Sequence, residues 1–203
     1  MQNQTDNISP NPKFSVLIPA TPKRITTHLI PLFNKLSEQV ESLLNPKDVE
    51  ILTFLDNKRR SIGYKRDALV QIARGRYLAF VDDDDQVSKY YIKEIVEVID
   101  NHDVDVITFN QWCSFNNQPK LPVYFKLGHP VNEPVPGPYG ATRPPWHICA
   151  WRTQLVQQFR FPDSMYGEDW HWCLRCNAVA KTSHHIDKFL HAYIFNDAVT
   201  EAV

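Results

Sequence analysis

The chain has 203 residues, of which 43% are hydrophobic and 22% are charged, and its formal net charge is −1 at pH 7. These values predict one globular domain with a buried core and argue against a strongly nucleic-acid-binding surface. No window approaches the roughly 18 apolar residues of a membrane helix, and the first residues lack the apolar run of a signal peptide. We therefore expect a cytoplasmic protein without a transmembrane segment.

The first part of the chain alternates short apolar runs with a helical pattern. Residues 14–19 and 49–55 are apolar runs ended by proline or by polar residues, which predicts two buried strands. Between them, Pro31 suits the first turn of a helix and Asn45-Pro46 suits its exit. The apolar residues of this helix recur at helical spacing, at Leu32, Phe33, Leu36, Val40 and Leu43.

The following segments repeat this alternation. Residues 67–74 form an amphipathic helical pattern ended by Gly75, and residues 77–81 predict the next buried strand. Ser88 suits the N-cap of a further amphipathic helix, which leads to the apolar run 104–109. The order predicts an α/β fold, a three-layer α/β/α domain with a mainly parallel central sheet.

The second part of the chain has a different composition. Residues 118–145 contain eight prolines and three glycines, which predicts a long loop without regular structure that closes over bound ligands. Four tryptophans follow it, and they either stack on a sugar or base or fill a small second core. These tryptophans are Trp146, Trp151, Trp170 and Trp172.

We expect a single domain, 1–203, with one half at about 12–110 and another at about 111–203.

The four cysteines do not have the spacing of a four-thiolate zinc site. Cys173 and Cys176 form one C-x-x-C, and no second pair is present. His171 or the pair His184-His185 could complete a mixed zinc set. However, WHWCLRC predicts a helix, in which these cysteines pack as small hydrophobic residues. We expect reduced and mostly buried thiols.

Four consecutive carboxylates, Asp82 to Asp85, follow the apolar strand YLAFV. Ligands of open α/β sheets bind at the carboxyl ends of strands, and adjacent carboxylates repel each other unless a cation offsets their charge. A solvated loop that caps the next helix is the simpler alternative. An EF-hand is disfavoured, because glycine and glutamate are missing from its sixth and twelfth positions. Seven Lys and Arg residues between 58 and 76 indicate an anionic ligand nearby.

A longer pattern surrounds these carboxylates. It consists of Arg66-Asp67, Ala73-x-Gly75-x-Tyr77, Phe80 and Asp82-x-Asp84-Asp85. The pattern resembles the nucleotide-sugar segment of family-2 glycosyltransferases with the GT-A fold. The strand FSVLIPA, the acidic end of the second strand and Gly167-Glu168-Asp169-Trp170 extend the resemblance over most of the chain. The sequence departs from the family at Asp67, where asparagine is usual, and at Leu69, where glycine is usual.

The resemblance implies a divalent cation and a nucleotide-sugar donor. Asp84 and Asp82 would hold Mn²⁺ or Mg²⁺, since alternate residues of an extended segment point the same way and oxygen ligands suit these ions. The other implied nucleotide contacts come from several segments. These contacts are Asp56 and Arg66 on the base or diphosphate, with Lys65 as a substitute, Pro19 and Ala20 through the backbone, and Asp82 and Asp83.

The second implied site holds the acceptor. Asp169 would take the proton from the acceptor hydroxyl, and Glu168 would assist it or bind acceptor hydroxyls. Both residues would open the helix that contains Trp172, whose positive end favours ionised carboxylates. An acidic first turn that only stabilises the helix is the alternative. Trp146, His147 and Trp170 are candidate acceptor contacts, and His147 or His191 could add a contact to the metal or phosphate.

We therefore expect a metal-dependent inverting glycosyltransferase that uses a nucleotide sugar, with uridine diphosphate as the expected carrier. The acceptor could be a saccharide, a protein, a lipid-linked glycan or a modified nucleic acid. Two alternatives stay open at this stage. One is a metal-dependent phosphoryl-transfer enzyme or nuclease. The other is a non-catalytic nucleotide or carbohydrate binder.

Overall fold

The computed structural model describes residues 11–116, 118–129 and 141–196. Nine strands of this part form one sheet, in the order β2-β1-β3-β8-β5-β6-β7, with β9 beside β5 and β4 beside β9. The strands are β1 (Phe14–Ala20), β2 (Val49–Leu55), β3 (Tyr77–Phe80), β4 (Gln86–Val87), β5 (Val106–Phe115), β6 (Leu121–Phe125), β7 (Ala141–Arg143), β8 (Ala150–Arg152) and β9 (Ser183–Phe195). The helices are α1 (Ile30–Glu41), α2 (Ile62–Ile72), α3 (Tyr91–Asn101), α4 (Thr153–Val156) and α5 (Glu168–Val179).

The first three strands form a parallel unit with β1 at its centre. Phe14 of β1 is in register with Val49 of β2 on one side and with Tyr77 of β3 on the other. The three strands therefore end at the same edge of the sheet. The segments that follow them meet there, and this edge is where ligands bind in open α/β sheets.

The second half makes the sheet mixed. Strand β8 joins β3 to β5 by antiparallel pairing on both sides, and β6 is antiparallel to β5. Strand β9 runs parallel to β5 over ten paired residues, with register shifts between Phe109 and Gln111 that curl the sheet. The predicted α/β class is confirmed, and both parallel and antiparallel pairings occur from β3 onward.

The segment 118–145 is not the unstructured loop that its prolines predict. It contains β6 and β7, which pair in parallel with each other, while residues 130–140 lie outside the described part. In β6, Val123 and Phe125 are buried, and Tyr124 between them is exposed. This alternation is the signature of a strand, and Pro119 and Pro122 concealed it in the sequence.

Two helix starts also differ from the expected ones. Helix α2 begins at Ile62, five residues before the predicted start, because the Ser61 side chain accepts a hydrogen bond from the Tyr64 backbone N–H and caps it. The predicted cap Ser88 lies outside α3. Its hydroxyl accepts a hydrogen bond from the Tyr90 backbone N–H, one residue before the helix.

The core lies on both faces of the sheet and contains large aromatic side chains. Trp151 and Trp172 are fully buried within it. Cys149, Cys173 and Cys176 are buried free thiols and Cys113 is half-buried, which confirms the expectation for the cysteines. No helix in the described ranges is long and apolar enough to span a bilayer.

The Tyr77 hydroxyl connects β3 by hydrogen bonds to the segment that precedes β5. It donates a hydrogen bond to the Val104 carbonyl and accepts one from the Val104 backbone N–H at 3.1 Å. Tyr77→Phe leaves both backbone groups without this partner, so we expect a loss of about 1–3 kcal/mol in the free energy of unfolding. Urea denaturation measures this change.

Tyr90→Phe is the matched control, because Tyr90 is 49% exposed and its hydroxyl is accessible to water. We expect it to leave the unfolding free energy within about 0.5 kcal/mol of wild type. Equal effects of the two substitutions would show that the Tyr77 hydroxyl does not stabilise this junction.

Candidate active site

A buried arginine links the carboxylates of the two predicted sites. The Arg66 guanidinium donates to both carboxylate oxygens of Asp82 at 2.8 Å. Its other terminal nitrogen lies 3.2 Å from Glu168 and 3.9 Å from Asp169. The structure thus brings the predicted metal-side carboxylate and the predicted base to one cation.

The position of Arg66 follows from helix α2, which packs on the sheet and directs this side chain inward. The guanidinium lies over the Phe80 ring, 5.6 Å from its centroid, and only 5% of the side chain is exposed. Burial by itself lowers the pKa of Arg66, but the surrounding carboxylates raise it by a larger amount. The net shift of the pKa is upward, so the side chain stays charged.

The carboxylates Asp82 to Asp85 form a turn between β3 and β4, not the extended segment that was expected. The backbone N–H of Asp85 donates to the Asp82 carbonyl at 3.0 Å and closes the turn. The chain reverses here because β4 pairs with β9. As a result, Asp82 faces Arg66, whereas Asp84 faces a different arginine.

That second arginine is Arg24, which the sequence analysis did not identify. Its guanidinium donates to Asp84 through one terminal nitrogen and lies 2.7 Å from Asp83 through the other. Asp83 is fully buried and also accepts a hydrogen bond from the Thr21 backbone N–H at 2.9 Å. Asp83 therefore holds the loop after β1.

The cluster carries more negative than positive charge. Burial raises the pKa of Asp84 to about 7, and its aspartate neighbours add to this shift although Arg24 opposes it. Burial likewise raises the pKa of Asp85, whose carboxylate lies 3.2 Å from the His191 ring. Two guanidiniums contact five carboxylates, which are Asp82, Asp83, Asp84, Glu168 and Asp169.

This charge imbalance bears on the implied divalent cation. The donor set is rich in carboxylate oxygens, the ligands that Mg²⁺ and Mn²⁺ prefer. Within the described ranges, no three His, Cys, Asp or Glu side chains already converge as a complete ion site. The residues fit a divalent cation by chemistry and charge, and Arg24 contacts one of the two carboxylate oxygens of Asp84.

Asp169 lies at the start of α5, as the sequence predicts. Gly167 precedes the helix with a φ of +75°, a conformation that glycine adopts without strain. The Trp146 indole N–H donates to Asp169 at 3.1 Å, and the His147 ring lies 3.4 Å from the same oxygen. Burial and the nearby Arg66 lower the pKa of His147, so its ring is neutral. Asp169 is therefore held by neutral groups on this side.

The four tryptophans that follow residue 145 lie in two separate pairs. Trp151 and Trp172 are buried in the core. Trp146 and Trp170 are half-buried beside Asp169, with ring centroids 5.6 Å apart. Arg143 stacks on Trp146 at 4.4 Å from its centroid. This second pair forms an aromatic surface next to the predicted base.

Asp56 and Lys65 form a buried ion pair at the ends of β1 and β2. The Lys65 ammonium lies 2.8 Å from Asp56 and donates to the Ala20 carbonyl at 2.9 Å. Asp56 also accepts hydrogen bonds from the backbone N–H groups of residues 58, 59 and 60, and the pKa of Asp56 is lowered chiefly by Lys65. Pro19 is buried in β1. These residues thus meet at the carboxyl ends of β1 and β2.

Helix α2 also holds the segment that leads to Asp169. Asp67 accepts hydrogen bonds from the Arg160 side chain at 2.8 Å and from the Phe161 backbone N–H at 3.0 Å. The Gly63 backbone N–H donates to the Ser164 carbonyl at 3.1 Å. A Cβ atom on Gly63 would lie 1.9 Å from the carbonyl oxygen of Pro162, so only glycine allows this approach.

The comparisons with known proteins agree with this geometry. The model of the family described as "Glycosyl transferase family 2" matches residues 30–142, more than half of the chain. The chain belongs to glycosyl transferase family 2. This membership confirms the resemblance to family-2 glycosyltransferases. No curated protein matches the sequence.

Solved structures confirm the GT-A-like fold of this family 2 member. TarS residues 1–349 of S. aureus, crystallised with UDP-GlcNAc, has a TM-score of 0.61 and 17% identity, over 94% of this chain and 62% of that one. The same TarS fragment with UDP has a TM-score of 0.59 and 17% identity, over 91% of this chain and 61% of that one. The chain thus spans less than two thirds of the TarS fragment.

Substitution of Asp67 tests how α2 positions the Asp169 segment. Asp67→Ala leaves the buried Phe161 N–H without an acceptor and Arg160 without its carboxylate, so we expect a loss of about 1–3 kcal/mol in unfolding free energy. Asp67→Asn keeps an oxygen for the Phe161 N–H and should cost less. Urea denaturation and the rate of proteolysis in segment 160–166 measure the two effects. Equal losses for alanine and asparagine would contradict this role.

Proposed function

We propose that the protein is an inverting glycosyltransferase that moves a sugar from a uridine-diphosphate donor to an acceptor hydroxyl. The observation that carries the proposal is the link made by Arg66, which places Asp82 and Asp169 on one guanidinium. A carboxylate for the leaving group thus lies close to a carboxylate for the attacking hydroxyl. Direct displacement by that hydroxyl inverts the anomeric carbon.

The donor half of the proposed site is residues 12–110. Lys65 and Asp56 border the pocket for the base, Pro19 and Ala20 contribute backbone, and Arg66 orients Asp82 toward the ribose or diphosphate. Asp84, with Asp82, would hold Mn²⁺ or Mg²⁺, which neutralises charge on the departing nucleoside diphosphate when bound. Asp83 fixes the loop after β1 through the Thr21 N–H.

The acceptor half is residues 111–203, and Asp169 is its proposed general base. Trp146 and His147, both neutral, contact one of its oxygens and orient the carboxylate, while the Arg66 guanidinium lies farther away at 3.9 Å. The carboxylate accepts the proton of the acceptor hydroxyl as that oxygen attacks. Glu168 is almost fully buried against Arg66, so we assign it to positioning and not to acceptor binding.

The aromatic surface of Trp146 and Trp170 suits an acceptor with a flat or ring-shaped face. A saccharide stacks on such side chains through its C–H groups and a nucleobase through its ring. Both kinds of acceptor, free or carried on a protein or lipid, are consistent with this surface. Family membership favours glycosyl transfer over phosphoryl transfer and over non-catalytic binding.

The first experiment follows donor hydrolysis without an acceptor. We expect wild type with Mn²⁺ to release UDP slowly from one member of a panel of UDP-sugars. Chelation should abolish the release, and Asp84→Asn should reduce it at least about tenfold, because the leaving group loses charge neutralisation. Asp103→Asn is the control, since Asp103 is 78% exposed in the segment between α3 and β5. Donor release that persists after chelation would contradict metal dependence.

A second experiment tests the base. Asp169→Asn removes the proton acceptor but keeps the shape of the side chain. We expect hydrolysis to slow by about 10²- to 10⁴-fold, while the dissociation constant of UDP, measured by calorimetry, stays within about twofold of wild type. Unchanged hydrolysis would show that Asp169 is not the base. A parallel loss of UDP affinity would assign it to the donor pocket instead.

A further inference from the structure

We propose that Arg24 is an exchangeable counter-cation of the carboxylate cluster. It pairs with Asp84 until a divalent cation binds that carboxylate, and it then moves to the diphosphate of the donor. This inference rests on the proposed function, and it assigns a role to a residue outside the resemblance pattern.

The position of Arg24 allows such an exchange. It ends the short turn Pro22–Arg24 directly after β1, at the edge where the proposed donor binds. Its side chain is 16% exposed, compared with 5% for Arg66. The next residues, Ile25–Leu29, form a widened helical turn in which the Ile30 N–H donates to the Ile25 carbonyl. Such turns interrupt regular helices and occur often at functional sites.

The hydrogen bonds of Arg24 are incomplete in this arrangement. Both terminal nitrogens face carboxylates, but the buried Nε has no hydrogen-bond partner. An unsatisfied buried donor carries a free-energy cost, so the pairing with Asp84 does not use the full capacity of the guanidinium. A diphosphate offers several anionic oxygens that a guanidinium can contact in pairs.

Charge favours the exchange as well. Arg24 and a divalent cation cannot both contact the same Asp84 oxygen, because the two cations would repel each other at that distance. Five carboxylates contact only two guanidiniums, so a divalent cation is favoured over a single guanidinium at Asp84. The donor then brings additional negative charge to the same edge, and Arg24, once released, is a guanidinium at that edge that can pair with it.

This arrangement predicts that cation and nucleotide bind cooperatively through Arg24. Without nucleotide, the cation must displace Arg24 from Asp84, which weakens cation binding. With nucleotide present, the displaced Arg24 pairs with the diphosphate, and this new contact strengthens cation binding. Coupling of this kind amounts to about 5- to 150-fold in a dissociation constant, and it is equal in both directions.

The test is Mn²⁺ binding to the full chain, measured by the electron paramagnetic resonance signal of free Mn²⁺ with and without UDP. Wild type should bind Mn²⁺ at least about fivefold more tightly when UDP is present. Mn²⁺ alone should bind more tightly to Arg24→Gln than to wild type. The ratio of the Mn²⁺ dissociation constants without and with UDP should fall toward one in this variant. Arg74→Gln is the control, because Arg74 is 62% exposed on the opposite edge.

Arg24→Lys separates the two contacts of the side chain. Lysine keeps a positive charge near Asp84, so Mn²⁺ alone should bind as it does to wild type. It lacks the paired donors for a diphosphate, so the effect of UDP on Mn²⁺ binding should be smaller than in wild type. Circular dichroism and thermal unfolding identify which variants are folded, and either folded variant suffices for the test.

Weaker or unchanged Mn²⁺ binding by a folded Arg24→Gln protein would overturn the exchange. The proposed glycosyl transfer would then still stand if wild type binds Mn²⁺ and UDP and hydrolyses a UDP-sugar. Failure of wild type to bind either Mn²⁺ or UDP would overturn both proposals. The binding readout therefore distinguishes an error about Arg24 from an error about the reaction.

Discussion

The structure of the site depends on the pairing of one buried guanidinium with carboxylates from two halves of the chain. Asp82 comes from the end of β3 and Glu168 from the start of α5, and Arg66 lies between them. Without this cation, the carboxylates would repel each other in a poorly solvated space, and one or more would take up a proton. Truncation of a buried ion-pair partner typically costs about 3–5 kcal/mol for this reason.

The sequence allowed the parallel half of the fold and most of the site to be predicted, because both depend on local pattern. Apolar runs ended by acidic residues marked the carboxyl ends of β2 and β3, and Gly167 with its acidic neighbours marked the start of α5. Arg24 escaped prediction because its role depends on a contact with residues 60 positions away. Strand β6 was not predicted because two prolines conceal its alternation of buried and exposed residues. That alternation becomes recognisable only once β6 is paired with β5.

Helix α2 connects the two proposed halves mechanically. Three of its residues act on the acceptor side, where Arg66 contacts Glu168, Asp67 holds residues 160 and 161, and Gly63 contacts the Ser164 carbonyl. The neighbouring Lys65 reaches back to Asp56 and Ala20 on the donor side. A shift of α2 would therefore move the proposed base relative to the proposed donor pocket. The aspartate at position 67, where the family usually has asparagine, adds an ion pair to this connection.

Arg24 and Arg66 have different electrostatic roles in the proposed site. Arg66 is a fixed positive charge, and Arg24 is an exchangeable one. Arg66 is enclosed by a helix, an aromatic ring and several carboxylates, so it cannot leave without exposing buried charge. It suits preorganisation, which requires that charges do not move when the reaction occurs. Arg24 lies on a short turn after β1, and its side chain is more exposed than that of Arg66. A charge in that position can follow the negative charge that arrives with a donor, which a fixed arginine cannot do.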